Sequence, residues 1–581
     1  MKTTGDLFEK SFGEAVFGKT VPARYVYPRE ELTREPIFPY FVLDGGAFHF
    51  ACDVLGSAVS DSWLSGIMDG SLMDVFRQGE AEYGWEASFA YTDPVGFRKK
   101  YEWQIWPQRL YMTIPLAHAW LKTGEPKYAE RWMEIVRGWD GAHPYQPFDP
   151  SLNYILTDMT WRDMQVAWRT LSLLHGAFML DDAPFSADDW RYLCGFIRLH
   201  ADHLLEESKD RLERRHAQNH VLQIGAALIM AGVLFPEFER SEEYIRYGRE
   251  TVRMNMERAI FADGGSDEDS PSYSHFIARL YLEALLLLEK NGREPIPDLR
   301  ESVLRQYEWL RVTMAPDGEA PRISDSYAMD ARADLLRVSR LFPIRTDAEK
   351  GDVFLPDSKV AVIRRGRLTV LVDAMDYRRG HQHAGRPQIL LWYGKDPVLA
   401  DGGCSSYDRW EFYGPLMTAA YHNVIRIPGE HDSRENDIRT FLDASRIGDG
   451  ILSFGADVTT AAGASFRWER TLTVSEPQAG GISVTLCDRA EQRSAGDPLP
   501  FESNLYFGRH DADCPLTGNP DRRRMRLLSP DFLMTMESRQ EGFTCLAPVE
   551  NGMNRIDYAI VFSVTESGGY ENKTVLTFTD R

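Results

Sequence analysis

Cysteine is scarce in this chain. Its six residues (Cys52, Cys194, Cys404, Cys487, Cys514 and Cys545) are scattered, with no close pair. That excludes a cysteine-built metal finger and leaves mostly free thiols. No uninterrupted apolar run is long enough to cross a bilayer, so no membrane partner is expected. The N-terminal MKTTGDLFEKSFGEAVFGK lacks a continuous apolar h-region and is not a signal peptide as written. The expectation is a soluble, cytoplasmic protein, or a secreted or periplasmic one if a signal was removed. No basic block offsets the formal net charge of −21, which argues against nucleic acid. There is no strict solenoid repeat.

What is present suits two or more domains with substantial cores, in 581 residues that are 43% hydrophobic and 26% charged. Aromatics are plentiful, with 14 Trp, 25 Tyr and 30 Phe. Core burial is their commoner use; stacking on sugar rings is the other. Up to about residue 345 the periodicity is helical. Tyr128, Trp132, Ile135, Val136 and Trp139 share one face, and the preceding segment stops at Thr123-Gly124-Glu125-Pro126, which predicts a helical hairpin. From about residue 355 the texture is that of strands. Residues 359–363 and 368–372 flank a turn at Arg365-Gly366, and 470–474, 482–486, 559–564 and 574–578 alternate. Helices followed by strands imply an α+β chain of two domains, drawn at 1–345 and 346–581.

Three polar clusters supply an amide, a phenol and several imidazoles, but no obvious nucleophile. Gly380-His381-Gln382-His383 lies at the edge of the strand-rich half. With Asp401 and His422, its imidazoles would suit Zn²⁺ or a similar ion; solvated or core histidines are the plain alternative. Gln218-Asn219-His220 heads an apolar helix, where Asn219 alone reads best as an N-terminal cap. The run from Asp263 to Tyr273 holds a turn and then a helix start at Ser270-Pro271. Glu268 and Tyr273 thus sit near a helix N-terminus able to hold an anion, unless the run is simply a capped turn.

In this order the clusters resemble the heparinase II/III family of polysaccharide lyases. The stretch from Glu102 to Pro144, with Trp103, Trp106, Arg109 and Trp139, is similar to the family's early helical hairpin. Met159 to Leu171, with Trp161 and Arg169, is similar to the next. Asp263 to Tyr273 resembles its Asp-Gly…Glu-x-Ser-Pro-x-Tyr segment, and Gly380 to His383, Asp401 to Tyr407 and His422-Asn423 resemble its sheet-domain signature. The resemblance implies an incomplete α/α toroid followed by an antiparallel β-sandwich. It implies that Asn219, with His220, neutralises a uronate carboxylate, that Tyr273 protonates the glycosidic oxygen, and that His381 is the catalytic histidine. His383, Asp401 and His422 match its metal positions, for Zn²⁺ or else Mn²⁺ or Ca²⁺, in a structural role. A second active-site tyrosine is expected after Asp401, Tyr413 first and Tyr407 second. Trp106, Arg109, Trp161, Arg169, Gln218, Glu268 and Arg386 are the remaining candidate substrate contacts. One departure stands out: where much of the family has Asp two residues after the second histidine, this chain has Gly385, then Arg386.

The implied activity is β-elimination on a uronic-acid polymer of glycosaminoglycan or alginate type, by a monomer or a homodimer. The C5 proton of a 4-linked uronate is only weakly acidic while the adjacent carboxylate is charged. Donors on that carboxylate stabilise the enolate-like state, a base removes the proton, and an acid protonates O4. An unperturbed tyrosine, with pKa of about 10, is already a proton donor, so Tyr273 is the expected acid and His381 the base. Net negative charge repels such a polymer at long range, but salt screens this beyond roughly 10 Å. The rivals are an inverting glycoside hydrolase using Asp263 with Glu268 or Asp325, and a non-catalytic sugar binder.

Overall fold

The computed structural model of the protein describes residues 67–69, 107–151, 160–378, 380–404, 414–429, 433–508, 516–518, 522–550 and 556–581. Helix α1 (Thr113–Thr123) ends at Gly124, whose φ of +66° is the left-handed cap glycine adopts without strain. Helix α2 (Pro126–Ala142) follows with proline in its first turn, where the missing N–H costs nothing. The expected hairpin is therefore present. Its buried face carries Ala129, Trp132, Met133, Val136 and Trp139.

Further helices are α3 (Asp163–Met179), α4 (Ala187–Glu213), α5 (Asn219–Leu234), α6 (Ser241–Ala259), α7 (Pro271–Lys290), α8 (Leu299–Thr313) and α9 (Ala331–Ser339). A reciprocal Ser186–Asp189 capping box starts α4. Nearly every residue of α5 is buried, as an all-round apolar helix must be. No described helix is long and apolar enough to cross a membrane.

The described residues fall into two compact units. One is drawn from 1–260 and 276–303, the other from 261–275 and 304–581. All the strands belong to the second: β1 (Val353–Leu355), β2 (Val360–Arg365), β3 (Leu368–Asp373), β4 (Gln388–Tyr393), β5 (Asp396–Leu399), β6 (Ile425–Arg426), β7 (Asp437–Asp443), β8 (Ile451–Thr459), β9 (Ser465–Val474), β10 (Ile482–Gln492), β11 (Pro500–Phe507), β12 (Leu516–Gly518), β13 (Arg524–Leu528), β14 (Phe532–Ser538), β15 (Phe543–Glu550), β16 (Ile556–Ser567) and β17 (Gly569–Asp580).

They form two antiparallel sheets. One runs β1-β2-β3-β4-β5-β11-β16-β15 with β6 beside β11, and the other β12-β13-β14-β17-β10-β9-β8-β7. Burial alternates strictly along β9, so one face meets the core and the other does not. Val370, Leu391 and Phe507 of the first sheet join Phe454, Leu472 and Phe578 of the second in one core, which makes a β-sandwich. Strands β3 and β4 are buried on both faces. The loop between them, residues 374–387, carries His381 and His383.

Candidate active site

The loop 261–275 is fastened to the sheet unit by local hydrogen bonds. Asp263 Oδ2 accepts from the backbone N–H of Ser358 at 2.7 Å and from its hydroxyl at 3.0 Å. Ser326 Oγ accepts from Ser272 N at 3.0 Å and lies 3.1 Å from Ser270 Oγ. The first turn of α7 is thereby held, and Tyr273 stands on it. Its ring stacks on His381, with centroids 4.0 Å apart and planes inclined by 28°. Phenol and imidazole are side by side.

His381 is oriented by Asp325. Its Nδ1 lies 2.8 Å from Asp325 Oδ2, and the Asp325 N–H donates to the His381 carbonyl at 3.1 Å. Its Nε2 is 3.7 Å from Glu268 Oε2, beyond hydrogen-bond reach. The other oxygen of Asp325 is 2.9 Å from His383 Nε2. Burial opposes ionisation of Asp325, but hydrogen bonds from the two histidines outweigh it and hold the carboxyl well below the usual range. From the sequence, Asp325 is a candidate only as a hydrolase carboxylate. The signal that could have found its present place was Gly385, which leaves the histidine pair needing a carboxylate from elsewhere.

His383, Asp401 and His422 are buried, and their ligand atoms all lie within 4.8 Å of one another. His422 Nε2 is 2.8 Å from the Leu416 carbonyl, so it carries a proton. The Nδ1 lone pair then faces Asp401 Oδ2 at 2.9 Å. The Gln388 amide nitrogen contacts the same Asp401 oxygen and lies 3.3 Å from His422 Nδ1. Burial pushes the His383 imidazole down despite Asp325, which keeps it in the neutral form that ligates metals. The donor set of two imidazoles and a carboxylate fits a divalent ion.

Arg386 has a different place from the one expected. It is 2% exposed; its guanidinium pairs with Asp269 and lies 2.6 Å from Asp373 Oδ2. A sealed ion triad occupies it, so it is not a surface contact for substrate. Gly385 is explained by packing: a Cβ there would lie 2.1 Å from Cγ of His422.

In the helical unit, Asn219 is the first residue of α5 rather than its cap. Gln218 holds the cap position without a side-chain cap bond, and Asn219 Oδ1 accepts from Gln223 Nε2 at 3.1 Å. His220 Nδ1 lies 2.6 Å from Asp163 Oδ2. Burial opposes ionisation of Asp163, yet His220 and Arg211 hold its carboxyl below the usual range. This buried carboxylate was also missed. Gln218 is exposed.

Three expected sugar contacts are core residues instead. Arg109 is buried and donates from Nε to Gln165 Oε1 at 2.8 Å. Trp161 is 1% exposed. Arg169 donates to His200 Nε2 at 2.7 Å and to the Gln108 carbonyl at 2.7 Å, with its guanidinium over the rings of Trp139 and Trp161. Trp103, Trp106, Tyr407 and Tyr413 lie outside the described residues.

Comparison with known proteins bears on all of this. Residues 65–349 match the heparinase II/III N-terminus model, and residues 347–526 match the heparinase II/III-like C-terminal model. A heparin-sulfate lyase of Pedobacter heparinus is 24% identical over 264 residues, covering 42% of this chain and 38% of that protein. One of Bacteroides thetaiotaomicron is 25% identical over 209 residues, covering 36% of this chain and 27% of that protein. The chain thus spans under half the length of these curated relatives. Among solved structures, a heparinase III superposes with a TM-score of 0.67 at 14% identity, over 87% of this chain and 85% of that one. A heparan sulfate lyase mutant from Pedobacter heparinus gives 0.61 at 15% identity, over 96% of this chain and 93% of that one. These likenesses show the fold, a helical toroid followed by an antiparallel β-sandwich.

Proposed function

The chain belongs to the heparinase II/III family, and from that premise we propose that it is a polysaccharide lyase that cleaves a glycosaminoglycan by β-elimination. A heparan-sulfate-type chain is the first substrate to test. The observation that carries the reading is the Tyr273–His381 stack, with His381 Nδ1 on Asp325. Because Nδ1–H donates to a carboxylate, the lone pair is on Nε2, where a base needs it. A phenol beside it supplies the acid. His381 then takes the C5 proton and Tyr273 gives one to O4. Asn219, with His220 held by Asp163, is assigned to the uronate carboxylate on the family resemblance.

The metal proposed is Zn²⁺, with Mn²⁺ or Ca²⁺ as alternatives, held by His383, Asp401 and His422. When bound it supplies positive charge that fixes the 374–387 loop. Elimination consumes no water, so no activated water is required.

Hydrolysis is disfavoured by the carboxylates themselves. Asp263 is bound to Ser358, and Asp325 is sealed between two histidines. The test is ultraviolet screening against heparan-, chondroitin- and alginate-type polymers, with and without chelator. A rise in absorbance from a C4–C5 double bond is expected with a glycosaminoglycan. New reducing ends without absorbance would mean hydrolysis and would overturn the reading.

A further inference from the structure

One carboxylate serves both functional histidines of the sheet unit. We propose that Asp325 is the positioning residue of this site: it fixes the ring plane and tautomer of His381 through one oxygen, and those of His383 through the other. The inference rests on the elimination reading above and gives Asp325, which the sequence offers only as a hydrolase carboxylate, a role within it.

The geometry is over-determined at this point. Asp325 Oδ2 is 2.8 Å from His381 Nδ1, Asp325 Oδ1 is 2.9 Å from His383 Nε2, and the backbone N–H of Asp325 binds the His381 carbonyl. The preceding Ser324 is in the left-handed region at φ +59°, and its hydroxyl bonds the guanidinium of Arg386 and lies 3.4 Å from His383 N. The following Ser326 holds the head of α7 through Ser272 N. Three consecutive residues thus tie the histidine loop to the 261–275 segment that carries Tyr273. A non-glycine residue in the left-handed region persists only where its surroundings hold it there.

The chemistry follows from the acceptor count. A carboxylate presents acceptors on both oxygens, so each histidine must donate to it. His381 then keeps its proton on Nδ1, which puts the ring's lone pair on Nε2 for proton abstraction. His383 keeps its proton on Nε2, with Nδ1 left as the nitrogen that can face a cation. An asparagine would offer one oxygen and one NH₂. One histidine would keep its donor geometry, and the other would meet a donor and be driven to the opposite tautomer.

The experiment compares the parent with Asp325→Asn and Asp325→Glu. Three readouts are needed: thermal melting with bound-metal content, kcat and KM by ultraviolet assay, and ¹⁵N chemical shifts of labelled histidine, with His381 assigned by His381→Ala. For Asp325→Asn the expected result is a kcat at least about a hundredfold lower with KM within about threefold. Asp325→Glu, which keeps both acceptor oxygens, should recover at least about tenfold of that loss. In the parent, the His381 ring should be protonated on Nδ1. A folded Asp325→Asn protein with kcat within about threefold of the parent overturns the proposal. So does a parent His381 protonated on Nε2 alone, a reading that holds even if the variants fail to fold. If no uronate polymer is cleaved by the parent, the elimination reading fails, while the nitrogen shifts still decide whether Asp325 orients His381.

Discussion

Replacing Arg386 by methionine separates a structural arginine from a substrate contact. In the folded protein Arg386 is 2% exposed, and its partners Asp269 and Asp373 are each 3% exposed. The triad carries one positive and up to two negative charges in a sealed space. Removing the cation while keeping the side-chain volume leaves two buried carboxylates facing each other. Breaking a buried pair in this way costs about 3–5 kcal/mol. Part of that is recovered by protonation, since burial already pushes the Asp269 carboxyl well above its usual range even with Arg386 beside it. The expected loss at pH 7 is therefore about 3 kcal/mol. With an unfolding entropy of about 2.1 cal/mol/K per residue over the unit of 261–275 and 304–581, that lowers Tm by roughly 5 °C. The sign with pH is fixed as well: the Asp269 carboxyl binds its proton more tightly folded than unfolded, so the variant's deficit should shrink as pH falls from about 8 to about 5. Calorimetric melts of parent and variant across that range make the measurement. A variant whose Tm stays within about 2 °C of the parent at pH 7, while KM rises tenfold, would refute the reasoning and return Arg386 to the substrate.

Three other outcomes are expected. Tyr273→Phe should lower kcat by about 10²–10⁴-fold with little change in Tm, read by the ultraviolet assay; equal loss of melting temperature would make Tyr273 a packing residue. Adding Zn²⁺ or Mn²⁺ at a hundred times its Kd should stabilise the parent by about 2.7 kcal/mol and leave His422→Ala unmoved in a thermal shift experiment. Asp267 has its carboxyl pushed up to about 7 by burial and then by the charge of Glu268, with Arg378 opposing. Folded protein therefore holds a proton there that unfolded chain releases near pH 4, and stability falls as pH rises from about 4 to about 7. Asp267→Asn should remove about 2 kcal/mol of that slope between pH 5 and pH 7, measured by urea unfolding at each pH; parallel curves for parent and variant would exclude the effect.

What the sequence made legible was what its local chemistry decides. Gly124 and Pro126 act on their own neighbours, so the α1–α2 hairpin could be read directly. Alternation along β9 and β10 likewise reports a single buried face. Tyr273 and His381 could be nominated through motif resemblance, but their stacking could not be derived from spacing. The orienting carboxylates were out of reach for the same reason: Asp325 meets His381 across 56 residues, and Asp163 meets His220 across 57. Arg169 and Trp161 show the reverse error. A guanidinium and an indole are the groups that grip sugar acids, and also the groups that stack inside a helical core. Only tertiary burial separates the two uses.

The contact between Gly385 and the ring of His422 has a consequence for substitution. A side chain introduced at Gly385 would begin 2.1 Å from Cγ of His422, so its acceptance requires a compensating shift of that ring. His422 would have to withdraw first, and with it one of the three groups gathered around the cation position. Asp325 therefore supplies the carboxylate to the histidine pair from a position that does not crowd His422.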